Sequence, residues 1–162
     1  MLIRFLYGLL YKSASVFFNV LNLLLFGNLP PFGCVVVIVE DQGRFLVLKR
    51  GGKYTFPGGF MRWREHPDQA ARREVYEETG LHVTIGDFIG YHSVSSPGIT
   101  HMSTLILVFR GEVTGGQLRS SIEGRPRWLD EAEVQANLIS LYTNLLKKYV
   151  AAREQACSSE LP

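Results

Sequence analysis

From Phe32 onward, short apolar runs alternate with turn residues, and this pattern predicts a series of short strands. The first two runs cover residues 34–39 and 45–48, and they flank the turn residues Asp41-Gln42-Gly43. They predict a strand, a tight turn and a partner strand. The later apolar runs predict further strands at residues 81–85, 88–94, 104–112 and 126–129.

Two later segments have helical spacing. Residues 67–79 predict a helix, because Pro67 suits a first helical position and Gly80 suits the residue just past the end. Residues 130–133, Asp-Glu-Ala-Glu, resemble a capping box, and the apolar stripe that follows predicts a helix running toward Arg153. The members of that stripe are Leu138, Leu141, Tyr142, Leu145 and Tyr149.

The first 26 residues are mostly apolar, and their interruptions recur every three or four residues. These interruptions are Arg4, Gly8, Lys12, Ser15, Asn19 and Asn22. The spacing predicts a helix with one narrow polar stripe, which Gly27 and the Pro30-Pro31 pair then end. We therefore expect three parts: an apolar helix and linker at 1–31, a folded domain at 32–155, and a flexible tail at 156–162.

Composition supports one ordinary domain, since the 162 residues are 46% hydrophobic and 20% charged. The formal charge of +2 is nearly balanced and the basic residues are dispersed, so nothing indicates a nucleic-acid partner. Cys34 and Cys157 have neither metal-ligand spacing nor the density of a disulfide scaffold. We expect the domain to lie in a reducing, cytoplasmic compartment.

Three carboxylates share one face of the helix at 67–79, because Glu74, Glu77 and Glu78 are three and four residues apart. Like charges at these spacings destabilise a helix by roughly 0.2–0.5 kcal/mol per pair, so the cluster favours a bound cation. Mg²⁺ suits it, since this ion takes oxygen ligands and keeps waters and phosphate oxygens. Such an ion activates water and neutralises charge at a phosphorus under attack.

The alternative interpretation is a solvated helix face whose glutamates pair with Arg72 and Arg73. The flanking residues favour the metal site. Pro57-Gly58-Gly59 predicts a flexible turn before the helix, able to bring carbonyl oxygens near a metal, and Gly80 closes the helix.

This segment also resembles the signature of the Nudix hydrolases: a glycine, five residues, a glutamate, seven residues, then Arg-Glu-apolar-any-Glu-Glu-any-Gly-apolar. Every fixed place of that signature is filled. The matching residues are Gly59, Glu65, Arg73, Glu74, Val75, Glu77, Glu78, Gly80 and Leu81. The resemblance covers residues from about 32 to about 149 and implies an α/β fold, an α/β/α sandwich with a mixed β-sheet.

The resemblance also implies roles for individual residues. Glu74, Glu77 and Glu78 would bind Mg²⁺ or Mn²⁺, and the carbonyl of Gly58 would add a ligand. Arg73 would orient the glutamates through ion pairs. Glu65 would act through a structural hydrogen bond or a water-bridged metal, with Gly59 and Gly80 as structural positions.

A general base and a substrate remain to be assigned. Glu123, in the loop after the central strands, is the candidate base, with an exposed loop acid as the alternative and Glu112 or Glu74 as other candidates. Pro97 lies 16 residues beyond Leu81, which is similar to the ADP-ribose pyrophosphatase branch, although Ser-Pro-Gly is also a common turn.

The resemblance to the Nudix hydrolases implies a small nucleotide substrate. ADP-ribose or a nucleotide sugar comes first, and an oxidised or ordinary nucleoside triphosphate second. Arg50 is a candidate phosphate ligand. A non-catalytic nucleotide-sensing module is the competing class, but such a module would be expected to have lost at least one acidic ligand.

The apolar segment at 1–26 favours attachment to a membrane surface. As a helix it would be about 38 Å long, enough to cross a hydrocarbon layer of ~30 Å, while its polar stripe suits a helix lying in the interface. A cleaved signal peptide would show a small-any-small site after the apolar run, and none follows. The alternative is a helix packed against the domain or within a homodimer.

Overall fold

The structure is a computed structural model that describes residues 2–159. It begins with α1 (Leu2–Leu24) and continues with β1 (Phe32–Asp41), β2 (Arg44–Arg50), β3 (Lys53–Thr55), β4 (Gly58–Phe60), α2 (Pro67–Thr79), β5 (Leu81–Val94), β6 (Thr104–Gly116), β7 (Arg125–Asp130), α3 (Glu131–Asn137) and α4 (Ser140–Ser159).

The seven strands form a mixed sheet in the order β3-β2-β1-β6-β5, with β4 paired to β1 and β7 paired to β2. β1 and β6 run parallel over eight residue pairs, from Phe32 opposite Thr104 to Val39 opposite Gly111. The other pairings are antiparallel. The long connection between β1 and β6 is the kind that parallel neighbours require, and it contains α2.

Helices cover both faces of the sheet, so both faces of β1 are buried. Val35, Val37 and Val39 pack with α2 residues such as Val75. The alternate residues Val36 and Ile38 pack with side chains of α3 and α4. An unbroken apolar run such as 34–39 is what burial on both faces requires. The expected α/β/α sandwich is confirmed.

Several predicted boundaries need correction. The helix at 67–79 is confirmed, with Gly80 in the left-handed conformation at φ 78°. The strands predicted at 81–85 and 88–94 are one strand, β5, interrupted by register shifts. The turn expected at Pro57-Gly58-Gly59 is wrong in part, because Gly58 begins β4 against β1. β3 and β4 have three residues each, too few to show a period.

The C-terminal helix is in fact two helices, because α3 ends at Asn137 and α4 begins at Ser140. The predicted capping box at Asp130 is wrong: Asp130 precedes α3 but makes no side-chain capping hydrogen bond. α4 continues to Ser159, so residues 156–159 are helical. Residues 160–162 of the expected tail lie outside the described residues.

α1 packs along one side against the beginning of the domain. Its Phe18 ring lies 4.3 Å from the ring of Phe32 at the start of β1, and its Tyr11 ring lies 6.4 Å from Phe60 in β4. Between residues 2 and 159, no helix combines the length and mean hydropathy of a membrane-spanning segment. Packing against the domain, one of the two alternatives for this segment, is therefore present on one side of the helix.

Candidate active site

The glutamates of α2 differ in exposure because the helix packs one side on the sheet. Glu74 and Glu78 are four residues apart, face the sheet and are 8% and 2% exposed. Glu77 lies at the edge of that side and is exposed. Burial disfavours the charged form, so it raises the pKa of Glu74 and of Glu78 above the ordinary carboxyl value.

Arg73 holds one side of the cluster together. Its Nε and Nη2 donate to the two oxygens of Glu65, both at 2.7 Å, and its Nη1 donates to Glu74 at 2.6 Å and to Glu77 at 3.2 Å. Nη2 also donates to the carbonyl of Phe60 at 3.0 Å. The hydrogen bonds from Arg73 are the main cause that lowers the pKa of Glu65 to about 2.

Arg50 closes the other side of the cluster. Its Nη2 donates to Glu78 and, at 2.8 Å, to Glu123. The amide of Gly58 donates to the second oxygen of Glu78 at 2.9 Å. Burial outweighs the attraction of Arg50, so the pKa of Glu78 stays raised, and the nearby Glu123 carboxylate raises it further. Glu78 and Glu123 are 45 positions apart in the sequence, and the fold brings them to the same guanidinium.

The two glycines before α2 allow this close packing. A Cβ on Gly59 would lie 2.7 Å from the carboxylate of Glu74. A Cβ on Gly58 would lie 2.2 Å from the carbonyl oxygen of Val35. Both distances are too short for a side chain, so only glycine lets β4 pass between β1 and the glutamates.

The donor set suits a hard divalent cation. Within residues 2–159, no three His, Cys, Asp or Glu side chains are arranged as a ready metal site, because arginines engage the carboxylates. The Arg50 guanidinium nevertheless shows where a cation is stabilised, between Glu78 and Glu123. Since the groups around that place are carboxylates, their chemistry fits Mg²⁺ or Mn²⁺.

The remaining residues predicted for the site lie in different parts of the structure. Arg50, expected to meet phosphate, pairs with the glutamates. Pro97 lies in the exposed turn between β5 and β6, next to Ser96, whose hydroxyl donates to the carbonyls of Gly98 and His101. Glu112 is 65% exposed and pairs with Arg110.

Sequence reasoning did not find Arg62. Its guanidinium donates to Glu77 at 2.8 Å and its backbone amide donates to Glu65 at 2.8 Å. Arg62 lies in the loop between β4 and α2, where no periodic pattern predicts the direction of a side chain. The sequence signal that could have indicated Arg62 is its position three residues before Glu65.

A basic cavity of about 610 Å³ lies beside the Glu123 loop. Its lining includes Ser121 and Gly124 from that loop and the cationic side chains Lys49, Arg125 and Arg127. Lys49 and Arg125 are directly opposite each other on β2 and β7. This surface complements an anionic group.

The mixed sheet lies between helices, and buried glutamates stand where the glycine-containing strand β4 meets the short helix α2, which is the arrangement that the resemblance to the Nudix hydrolases implies. The NUDIX domain model matches residues 30–150. A MutT-like protein of Streptomyces ambofaciens is 34% identical over 109 residues, 65% of this chain and 68% of that protein. A NUDIX hydrolase structure from Nitrosomonas europaea superimposes with a TM-score of 0.67 at 25% identity, covering 76% of this chain and 90% of that one.

Two further relatives differ in their named substrates. An ADP-ribose pyrophosphatase of Methanocaldococcus jannaschii is 28% identical over 128 residues, 75% of each chain. An oxidized purine nucleoside triphosphate hydrolase of Danio rerio is 37% identical over 100 residues, 59% of this chain and 64% of that protein. The chain belongs to the Nudix family, and it is a hydrolase of that family.

Proposed function

We propose that this protein is a divalent-metal-dependent pyrophosphohydrolase that cleaves the diphosphate of a nucleoside diphosphate-linked compound, with ADP-ribose or a nucleotide sugar as the preferred substrate. One observation carries the proposal: Glu78 and Glu123, from distant segments, share a single cationic group beside the buried face of α2. A site that stabilises a guanidinium there suits a metal ion with a bound diphosphate.

Glu74, Glu77, Glu78 and the carbonyl of Gly58 would hold Mg²⁺ or Mn²⁺, which would supply charge neutralisation and an activated water. Arg50 would then leave the carboxylates and turn toward the phosphates. Its side chain is 35% exposed, so it has room to move. Arg73 positions Glu74 and Glu77 and is itself fixed by Glu65, as its hydrogen bonds support.

Glu123 is the proposed general base. It would accept the proton of the attacking water as the water oxygen bonds to phosphorus and the bridging P–O bond breaks, leaving two phosphate products. Its side chain is 42% exposed and close to Glu78, so it is open to water and near the cluster. Glu112 is a poorer candidate because its ion pair with Arg110 lies on an exposed part of β6.

The substrate choice rests on similarity and charge together. The ADP-ribose pyrophosphatase relative aligns over three quarters of both chains. The basic cavity lined by Lys49, Arg125 and Arg127 suits the phosphates of a diphosphate linkage. Pro97 stays the sequence feature that favours this branch.

A nucleoside triphosphate is the second candidate substrate. The 37% identity to the oxidized purine nucleoside triphosphate hydrolase favours it. The two candidates give different products: a nucleoside monophosphate with a sugar phosphate in one case, and a nucleoside monophosphate with pyrophosphate in the other.

The test is a substrate panel with Mg²⁺ or Mn²⁺, containing ADP-ribose, nucleotide sugars, NADH, diadenosine polyphosphates, and ordinary and oxidised nucleoside triphosphates. Wild type is compared with Glu78→Gln and with the matched control Glu133→Gln, an exposed position on α3. We expect ADP-ribose or a nucleotide sugar to be turned over fastest, with activity lost in Glu78→Gln and kept in Glu133→Gln.

Pyrophosphate release from triphosphates, without cleavage of ADP-ribose, would instead establish the second candidate. If folded wild type turns over no compound with either metal, the hydrolase assignment to these substrates is wrong. Equal activity of Glu78→Gln and wild type would refute the role given to Glu78.

A further inference from the structure

α1 is an amphipathic helix mounted with its polar side on the domain. Ser15 is fully buried, and the side-chain amide of Asn19 donates to the carbonyls of Ile99 at 3.0 Å and His101 at 2.7 Å. The side-chain oxygen of Asn22 accepts from the amide of Leu29 at 3.0 Å. A surface helix ordinarily turns its apolar stripe to the core, whereas in α1 these polar residues face the domain beside Tyr11 and Phe18 and most of the apolar stripe faces outward.

The opposite side of α1 is apolar and exposed. At about 100° per residue, the side chains on it lie within roughly 80° of one another around the helix axis and point away from Ser15 and Asn19. Its members Leu6, Leu10, Phe17, Val20 and Leu24 are between 46% and 72% exposed, and Phe26 beyond the helix is 93% exposed. We call these six residues the α1 apolar face. A contiguous apolar face of this kind marks an interaction surface.

The charged residues of the first helix are basic, since the sequence has Arg4 and Lys12 but no acidic residue before Glu40. Lys12 is exposed and, at about 100° per residue, lies between the polar side of α1 and the exposed Leu23. An apolar groove of about 380 Å³ beside the face is lined in part by Leu10 and Met61. Shortly after Met61 comes Trp63, which is 88% exposed and carries the Arg64 guanidinium 5.9 Å from its ring centroid.

An exposed apolar helix face with the exposed Lys12 at its edge, and an exposed tryptophan two residues beyond the groove residue Met61, match the chemistry of an anionic lipid surface. Tryptophan is enriched at the boundary between lipid and water. A second copy of the chain fits less well, because the first helix carries basic residues and no acidic ones, so two copies would offer each other no opposite charge there.

We propose that α1 binds the surface of a membrane containing anionic lipids, with the α1 apolar face in the lipid and the polar stripe held by the domain. The hydrogen bonds from Asn19 keep the helix along the domain surface, so α1 lies in the plane of the membrane. The Nudix domain is then held beside the lipid headgroups. This binding is independent of the substrate and of the proposed chemistry.

The test is sedimentation of the full chain with vesicles of phosphatidylcholine alone or mixed with phosphatidylglycerol. Wild type is compared with Phe17→Glu and with Leu24→Glu, which place a charge on the α1 apolar face. The matched control is Leu118→Glu, since Leu118 is also exposed, at 43%, but follows the end of β6 that is remote from Thr104 and α1. Circular dichroism and light scattering record folding and oligomeric state.

We expect wild type and Leu118→Glu to bind the phosphatidylglycerol vesicles, more tightly than phosphatidylcholine alone. Each α1 variant should bind about tenfold more weakly or worse, because an apolar contact is lost and a negative charge is added. Wild type that stays in solution with both vesicles would overturn the proposal. So would a wild-type dimer that Phe17→Glu dissociates in the absence of lipid binding, which would identify a second copy as the occupant.

Discussion

Replacing Glu65 by glutamine tests the ion pair on which the position of Arg73 depends. Glu65 and Arg73 are 13% and 14% exposed, and two parallel hydrogen bonds of 2.7 Å join them. Glutamine keeps the shape of Glu65 but removes the charge and turns one acceptor into a donor facing the guanidinium. Arg73 would remain partly buried with weaker partners.

The expected loss follows from the pKa of Glu65, lowered from 4.5 to about 2 chiefly by hydrogen bonds from Arg73. A difference of about 2.5 units corresponds to ~3.4 kcal/mol of free energy of unfolding as an upper bound. Glutamine retains one acceptor, so we expect a loss of about 2 kcal/mol at pH 7. With a urea m-value of ~2 kcal/mol/M, the midpoint falls by about 1 M.

The pH dependence has a defined direction. Because folding lowers this pKa, the stabilisation is complete above about pH 4.5 and is lost as the pH falls toward 2. At pH 3 roughly 40% of it remains, so the difference between wild type and Glu65→Gln should fall below about 1 kcal/mol.

Urea unfolding at several pH values between 7 and 3, with EDTA to remove metal binding, measures both effects. Glu133→Gln is the control, and it should leave the midpoint unchanged. A Glu65→Gln loss under about 0.5 kcal/mol at pH 7, or one of the same size at pH 3, would refute the assignment of this stability to the Glu65–Arg73 pair.

Three further changes test other parts of the structure. Gly59→Ala places a Cβ 2.7 Å from the Glu74 carboxylate, so kcat should fall by about tenfold to a hundredfold in steady-state assays, and an unchanged kcat would contradict the packing. Arg127→Gln removes one cation of the basic cavity, so KM should rise several-fold with little change in kcat; an unchanged KM would separate this cavity from substrate binding. Phe45→Ala removes a fully buried ring that lies 6.0 Å from the ring of Tyr149, and urea unfolding should show a loss of ~3–5 kcal/mol, with a loss under 1 kcal/mol as the contrary result.

Local sequence signals were sufficient to predict those features that depend on residues close together in the chain. Pro67 marks the beginning of α2 because proline suits the first turn of a helix. Gly80 marks its end because glycine readily adopts the left-handed conformation found there. The unbroken apolar run of β1 indicated a strand buried on both faces, as it is. The spacing of Glu74, Glu77 and Glu78 along the chain was sufficient to place three carboxylates together on α2.

Other features depend on which distant segments meet, and the sequence alone does not determine that. The fold brings Arg50 to Glu78 and Glu123, 28 and 73 positions away, and no local signal in the sequence predicts this contact. β4 forms because Gly58 and Gly59 fit between β1 and Glu74, not because three residues show a strand period.

In α1, too, some features follow from the sequence and others only from the tertiary structure. The spacing of Ser15, Asn19 and Asn22 by itself determined that the first helix has a polar and an apolar side. Only the tertiary structure decided that the polar side faces the domain, because the side-chain amide of Asn19 donates to two backbone carbonyls in a loop about 80 residues away. Helical periodicity depends on neighbours within one turn, whereas the direction of a side chain in the fold depends on surfaces that only the folded chain brings together.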